Sequence, residues 1–250
     1  MENYEYATMA GIEDYYWWYR GLHSIIVDVL RAAGVNSESR ILDAGCGTGG
    51  ALMNLRSGFA VEPFGFDYSP EAGRFLKRRG LQRCAVASIN EMPYPANSFD
   101  AAISIDVLEN EFVDQDKAML ELNRVMRPGG VLLMLLPAYR WLLSEEHHRA
   151  VHTIRRYSRP EVVALLADNG FEIVRATHLF ALLLPITAAY RLLFLPTRPH
   201  ADVPHSELKP LPTPINEAFV GIMRAERHLV RNFDLPFGSS ILVLGKKVNS

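Results

Sequence analysis

Ile41-Leu-Asp-Ala-Gly-Cys-Gly-Thr-Gly-Gly50 reads as the end of a buried strand running into a glycine turn. Gly45, Gly47 and Gly50 satisfy the spacing of a dinucleotide-binding fingerprint, in which absent side chains let a ligand approach the backbone and the following helix N-terminus. Asp43, two residues before the first glycine, changes what that turn can hold. A carboxylate beside a pyrophosphate sets like charges at close range, which is unfavourable. A ligand presenting a cation there is favoured instead.

Outward from the turn, strands and helices alternate. Arg40 to Ala44 is the first strand, and a helix runs from the glycine loop to about Arg56. A second strand, Val61 to Phe66, ends at Asp67, where doubly wound folds place a carboxylate to receive ribose hydroxyls. Ser69 then caps a helix with Pro70 at its first position, and Arg74, Lys77, Arg78 and Arg79 give that helix a basic C-terminal end suited to its dipole. Cys84 to Ser88 and Phe99 to Ile105 follow as strands, separated by the proline-punctuated loop Asn90-Glu-Met-Pro-Tyr-Pro95. Asp114 to Met126 has helical spacing, Arg127-Pro-Gly-Gly130 ends it, and the apolar run Val131 to Leu136 is a strand buried on both faces. Phe171 to Thr177 and Ser240 to Lys246 complete the set.

This pattern predicts an α/β fold: a Rossmann-like, doubly wound, mostly parallel seven-stranded sheet with helices on both faces. An N-terminal aromatic helix and a mainly helical insertion before the last strand are added to it. Asp43, Asp67, Ser88 and Asp106 all fall at the carboxyl ends of strands, the edge where such sheets bind ligands. S-adenosylmethionine carries an ammonium and a sulfonium but no phosphate, and so suits that edge.

At 250 residues, 49% apolar and 22% charged, the chain supports one sizeable core, and two full domains would be cramped. The single domain divides into an N-terminal helical lid (1-35), the Rossmann-like core (36-178 and 236-250) and a helical, proline-rich cap (179-235). A net charge of -2 gives no footprint for nucleic acid. Cys46 and Cys84 do not form the spaced framework of a secreted domain, and no signal peptide is visible, so a reducing cytoplasm is the expected compartment.

Tyr15-Tyr-Trp-Trp-Tyr19 precedes an amphipathic helix carrying Leu22, Ile25, Ile26, Val29 and Leu30. Trp17 and Trp18 either anchor that helix on the core or, with Tyr16, form a lid against the substrate. After Pro137 a polar loop holds Tyr139, His147, His148 and His152, where acceptor chemistry is placed. No third ligand accompanies the His148/His152 spacing, so no metal is expected. Ser158-Arg-Pro-Glu161 caps the next helix. Leu179 to Pro196 is too short and broken for a membrane span. It reads as a cap helix, or as a surface that touches membrane or a lipophilic acceptor.

Together these segments resemble the class I S-adenosylmethionine-dependent methyltransferase superfamily of small-molecule type, over roughly residues 40 to 178 plus the last strand. The resemblance implies a donor site from Asp43, Gly45, Cys46, Gly47 and Gly49, with Asp67 and Tyr68 at the ribose and Asp106 near the sulfonium. Ser88 to Tyr94 is similar to the family's adenine loop, with Ser88 in place of its carboxylate and Ile89 in place of its alanine. Ser104-Ile-Asp-Val-Leu-Glu-Asn110 departs from the usual Leu-Glu-His ending at Asn110, which excludes a histidine base there. The expected reaction is methyl transfer to O or N of a small, lipophilic or natural-product-like acceptor, with S-adenosylhomocysteine as product. His147, His148, His152 or Glu111 would take a proton where the acceptor is a hydroxyl. A donor-binding scaffold without turnover and a nicotinamide-dependent oxidoreductase are the competing readings.

Overall fold

The computed structural model describes residues 1–143, 145–194, 206 and 209–248, without the side chains of 145–147 and 194. Seven strands form one sheet in the order β3-β2-β1-β4-β5-β7-β6. They are β1 (Ile41–Ala44), β2 (Phe64–Asp67), β3 (Cys84–Val86), β4 (Phe99–Ile105), β5 (Met126–Pro137), β6 (Phe171–Leu179) and β7 (Ser240–Lys247). β1 pairs in parallel with both β2 and β4, whereas β7 inserts antiparallel between β5 and β6. The strand order therefore reverses between β1 and β4, and the carboxyl ends of strands at such a switch point are where doubly wound sheets form their ligand crevice.

Alternation along the central strands separates two cores. Leu132, Met134 and Leu136 face one, with Leu42, Phe66 and Ala102; Val131, Leu133 and Leu135 face the other, with Ile41 and Ile103. The second core is roofed by α2 (Trp17–Ala32) and α9 (Thr213–Asn232). The apolar stripe Leu22, Ile25, Ile26, Val29 and Leu30 lies wholly inside it, each side chain contributing about 1.5–3 kcal/mol on burial. Gly21 allows α9 to approach: a β-carbon there would sit 2.8 Å from Met223. Arg227 and Arg231 of α9 both donate to Asp28, at 2.6 and 2.8 Å from their Nε atoms.

Local signals hold at two helix starts. Ser69 accepts from Glu71 N at the head of α4 (Pro70–Arg78), and Ser158 with Glu161 forms a reciprocal capping box at α7 (Arg159–Asp168). Two expectations are corrected. Arg127-Pro-Gly-Gly130 does not stand between the helix and the fifth strand, because β5 already begins at Met126, paired with Phe99, and absorbs the glycines at a register shift. Leu179 to Pro196 is not one helix: Leu179 closes β6, α8 spans only Leu184–Ala189, and a π-turn covers Tyr190–Phe194, with 195 and 196 outside the described residues. A buried carboxylate explains the break. Glu226 on α9 accepts from Phe180 N and, at 3.0 Å, from Leu182 N, which holds the chain in a turn after β6. No described helix is long and apolar enough to cross a membrane.

Candidate active site

β1 delivers the glycine loop into the crevice. Gly45 N and Cys46 N both donate to Phe66 O, at 3.0 and 2.9 Å, which pins the turn to the neighbouring strand. Gly45 has φ +92°, and a β-carbon on it would lie 2.4 Å from Val107 Cγ2, so only glycine serves there. Asp43, 1% exposed, sits beneath this loop with its Oδ2 making no hydrogen bond. Burial, reinforced by nearby Cys84, Asp67 and Glu13, pushes its carboxyl well above the usual carboxylate range.

Asp67, at the end of β2, accepts from Gly47 N through Oδ2 at 2.9 Å. Its Oδ1 accepts from Ser69 N at 3.0 Å and from Tyr6 OH at 2.9 Å. Tyr6 belongs to α1 (Asn3–Ile12), which lies over the glycine loop. A β-carbon at Gly47 would be 3.3 Å from Met9 Sδ, so the same helix also touches the loop itself. Burial, with the Asp67 carboxylate next in weight, pushes the Tyr6 phenol up.

Glu13 completes this cover. Its Oε2 accepts from Gly50 N at 3.0 Å, at the N-terminus of α3 (Gly50–Phe59), and its Oε1 accepts from Thr48 Oγ1 at 2.5 Å and Arg79 Nη2 at 2.7 Å. In a dinucleotide site that helix N-terminus receives pyrophosphate. Here the chain's own carboxylate fills the anion position, so the glycine spacing does not make a pyrophosphate cradle.

Asp106 follows β4 in the left-handed region, at φ +51°, with its backbone N donating to Leu135 O at 3.0 Å. Its side chain is solvent-accessible, yet desolvation by the surrounding protein pushes its carboxyl up to about 7, with Arg156 opposing. Tyr19 from α2 lies in the field of Asp106, Glu13 and Tyr16, which adds to burial in raising its phenol. Glu109, 3% exposed, is pushed well up by burial and then by Asp106, and its Oε2 makes no hydrogen bond. Arg156 donates to Ala138 O at 2.9 Å, at the exit of β5.

The rim at the adenine end is built from loops. Ser88 accepts from Asn90 N at 3.1 Å, Ile89 is buried, and Tyr94 donates to Gly65 O at 3.0 Å. Tyr68 is exposed and stacks on Phe112, 6.4 Å between centroids. His152, at φ +57°, places Nδ1 2.6 Å from Glu111 Oε1 and Nε2 3.2 Å from Glu2 Oε1. Its ring lies 5.2 Å from Phe112, so the His152–Glu111 pair stands at this rim. His148 turns its Nδ1 to Thr153 O. The side chain of His147 lies outside the described residues, although its backbone belongs to α6 (Glu145–Val151).

Trp17 and Trp18 anchor α2 in the second core. Trp18 stacks on Phe180 at 5.6 Å, and Trp17 meets Phe180 and Phe219 edge-on at 6.0 and 5.4 Å. Tyr16 is buried and lies 5.8 Å from Trp17. Tyr139, at φ +57°, is sandwiched between Trp141 and His178, 5.6 and 5.8 Å away. Sequence reasoning missed Tyr6, Glu13, Tyr19, Glu109 and Arg156 as site residues. Only Glu109 carried a signal, as the glutamate of the Leu-Glu-Asn segment.

The model of the methyltransferase domain matches residues 42–134, the stretch that carries every strand-end carboxylate of the crevice. By this match and by the relatives that follow, the chain is similar to S-adenosylmethionine-dependent methyltransferases. A probable S-adenosylmethionine-dependent methyltransferase of Mycolicibacterium smegmatis is 31% identical over 173 residues, 66% of this chain and 63% of that protein. The 24-methylenesterol C-methyltransferase 2 of Oryza sativa is 29% identical over 175 residues, 62% of this chain and 46% of that one. The chain thus spans about half to two thirds of the length of these curated relatives. In fold it is similar to the methyltransferase solved with the Haloferax volcanii Trm112 activator, with a TM-score of 0.62, 20% identity and coverage of 98% of both chains.

The residues present fit the superfamily's cofactor, S-adenosylmethionine. Asp43 Oδ2 is a buried acceptor without a hydrogen bond, and the Asp67 carboxylate stands at the end of β2 beside the glycine loop. No group of three metal-ligating side chains occurs among the described residues.

Proposed function

We propose that this protein transfers a methyl group from S-adenosylmethionine to an oxygen or nitrogen of a small, lipophilic, natural-product-like acceptor. The buried, unpartnered Asp43 Oδ2 carries this reading. An isolated carboxylate there is costly, and a ligand ammonium offsets the cost. Asp67 and Tyr68 hold the ribose, and Ser88 and Ile89 hold the adenine through the hydroxyl and the backbone. Bound there, the donor supplies a methyl carbon already activated by its sulfonium and open to in-line displacement.

The chain's own part is alignment and exclusion of water, since proximity can supply ~7 kcal/mol or more of barrier reduction. Residues 1-35 act as the lid over the donor, through Tyr6, Met9 and Glu13, and 179-235 as the cap on the acceptor side. For an acceptor that must lose a proton, Asp106 is better placed than His148 or His152. Its carboxyl, poised at about 7, stands at the end of β4, whereas His152 is held between Glu111 and Glu2. The sterol substrate named for the Oryza relative agrees with a lipophilic acceptor.

Calorimetric titration with S-adenosylmethionine, S-adenosylhomocysteine and NADH tests the donor, with both sulfur ligands expected to bind and NADH not. Tight NADH binding with neither sulfur ligand bound would falsify it. Single-turnover methyl transfer to a panel of phenols, amines and isoprenoid alcohols tests turnover, and donor binding without transfer to any of them favours the scaffold.

A further inference from the structure

We propose that Cys46 and Cys84 are a reversible disulfide site that ties the glycine loop to the edge strand of the sheet. They are the only cysteines of the chain, and both are free thiols. Cys46 lies inside the glycine loop and Cys84 opens β3, the edge strand beyond β2. What brings them together is Gly65 on the strand between.

Gly65 is the register partner of Cys84, so the two residues face the same side of the sheet. A β-carbon at Gly65 would lie 3.0 Å from Cys46 Sγ. The Cys46 thiol therefore occupies the space a side chain on β2 would fill, next to Cys84. The two cysteines share an apolar cluster with Leu52, Leu76 and Leu81. Their mutual interaction lowers the Cys84 thiol from its ordinary value and raises that of Cys46. Cys84 is half-buried on an edge strand and so is the sulfur an oxidant reaches first, whereas Cys46 is buried behind it.

With hydrogen peroxide as oxidant, the Cys84 thiolate attacks one peroxide oxygen, the O–O bond breaks, and hydroxide leaves to become water. The Cys46 sulfur then attacks the sulfenic sulfur of Cys84, the S–O bond breaks, and a second water carries off the oxygen and the thiol proton. Two thiols are oxidised and one peroxide is reduced to two waters, and a dithiol reductant reverses the change. The bridge would pull the loop toward β3, away from the position that Phe66 O sets for Gly45 N and Cys46 N. Its consequence for the donor rests on the methyl-donor reading of that loop, whereas the bridge itself does not.

The full-length folded protein is oxidised with graded hydrogen peroxide, blocked with N-ethylmaleimide and mapped by peptide mass spectrometry. The linked Cys46 and Cys84 peptides are expected within one chain, both thiols disappearing together and returning with dithiothreitol. S-adenosylhomocysteine is expected to bind the oxidised form roughly tenfold more weakly. Cys84→Ser should keep the affinity of the reduced protein and lose its sensitivity to peroxide. Loss of Cys84 alone to sulfinic acid, or a bridge only between chains, overturns the site. A bridged protein with unchanged affinity overturns its link to the donor. Reduced protein that binds no S-adenosylhomocysteine sinks the donor reading instead, and leaves the mapped bridge standing.

Discussion

Tyr6 donates its phenolic hydroxyl to Asp67 Oδ1 at 2.9 Å, so the carboxylate proposed for the ribose hydroxyls is already engaged by α1. On the proposed reading, lid and donor compete for one acceptor. Tyr6→Phe should therefore tighten S-adenosylhomocysteine binding several-fold while lowering the stability of the free protein by about 1.5 kcal/mol, the scale of a hydrogen bond to a charged group. Calorimetry and urea unfolding read the two effects. Equal loss of affinity and stability would mean that Tyr6 supports the bound donor rather than competing with it.

Asp43→Ala removes the carboxylate proposed to face the cationic end of the donor. Binding should weaken by about 2 kcal/mol, whereas the free protein should be no less stable, because a buried acceptor without a partner is lost with the side chain. Unchanged affinity in the folded variant would remove the electrostatic basis of the donor site.

The acceptor step should depend on pH through Asp106. With a carboxyl at about 7, the rate with a hydroxyl acceptor should rise with pH and level off above neutrality, and Asp106→Asn should abolish that inflection. His152→Ala should keep it. The reverse pattern, an inflection lost in His152→Ala and kept in Asp106→Asn, would return the proton to the His152–Glu111 pair.

The same shift acts on stability. Because Asp106 binds its proton more tightly folded than unfolded, its contribution is full below the ordinary carboxylate value and is lost as pH rises toward 7. Asp43 and Glu109 are shifted in the same direction. Free protein should thus lose stability toward neutral pH, and Asp106→Asn should flatten that slope in denaturant titrations at a series of pH values. The donor cation favours ionised Asp43, so donor binding should release protons, seen as a buffer-dependent calorimetric heat.

Glu226→Ala leaves Phe180 N and Leu182 N without their acceptor at a buried turn. A cost of about 3 kcal/mol in urea unfolding is expected. A cost under about 1 kcal/mol would show that the turn after β6 re-forms without it.

The sequence alone determined the sheet, the glycine turn and the strand-end carboxylates, because period-two apolar runs, cap residues and glycine spacing are local properties of the backbone. Ser69, Ser158 and the stripe of α2 behave as their neighbours in sequence dictate. Tertiary structure decided what covers those carboxylates. Tyr6 reaches Asp67 across 61 residues, Glu13 reaches Gly50 across 37, and Glu226 reaches Phe180 across 46, so no local pattern announces any of them. It likewise seated Trp17 and Trp18 on Phe180, broke the apolar run after Leu179, and brought Cys46 beside Cys84 over Gly65. Each is a meeting of segments distant in the chain. Burial and desolvation, the forces that shift Asp43 and Asp106, arise only once those segments have met.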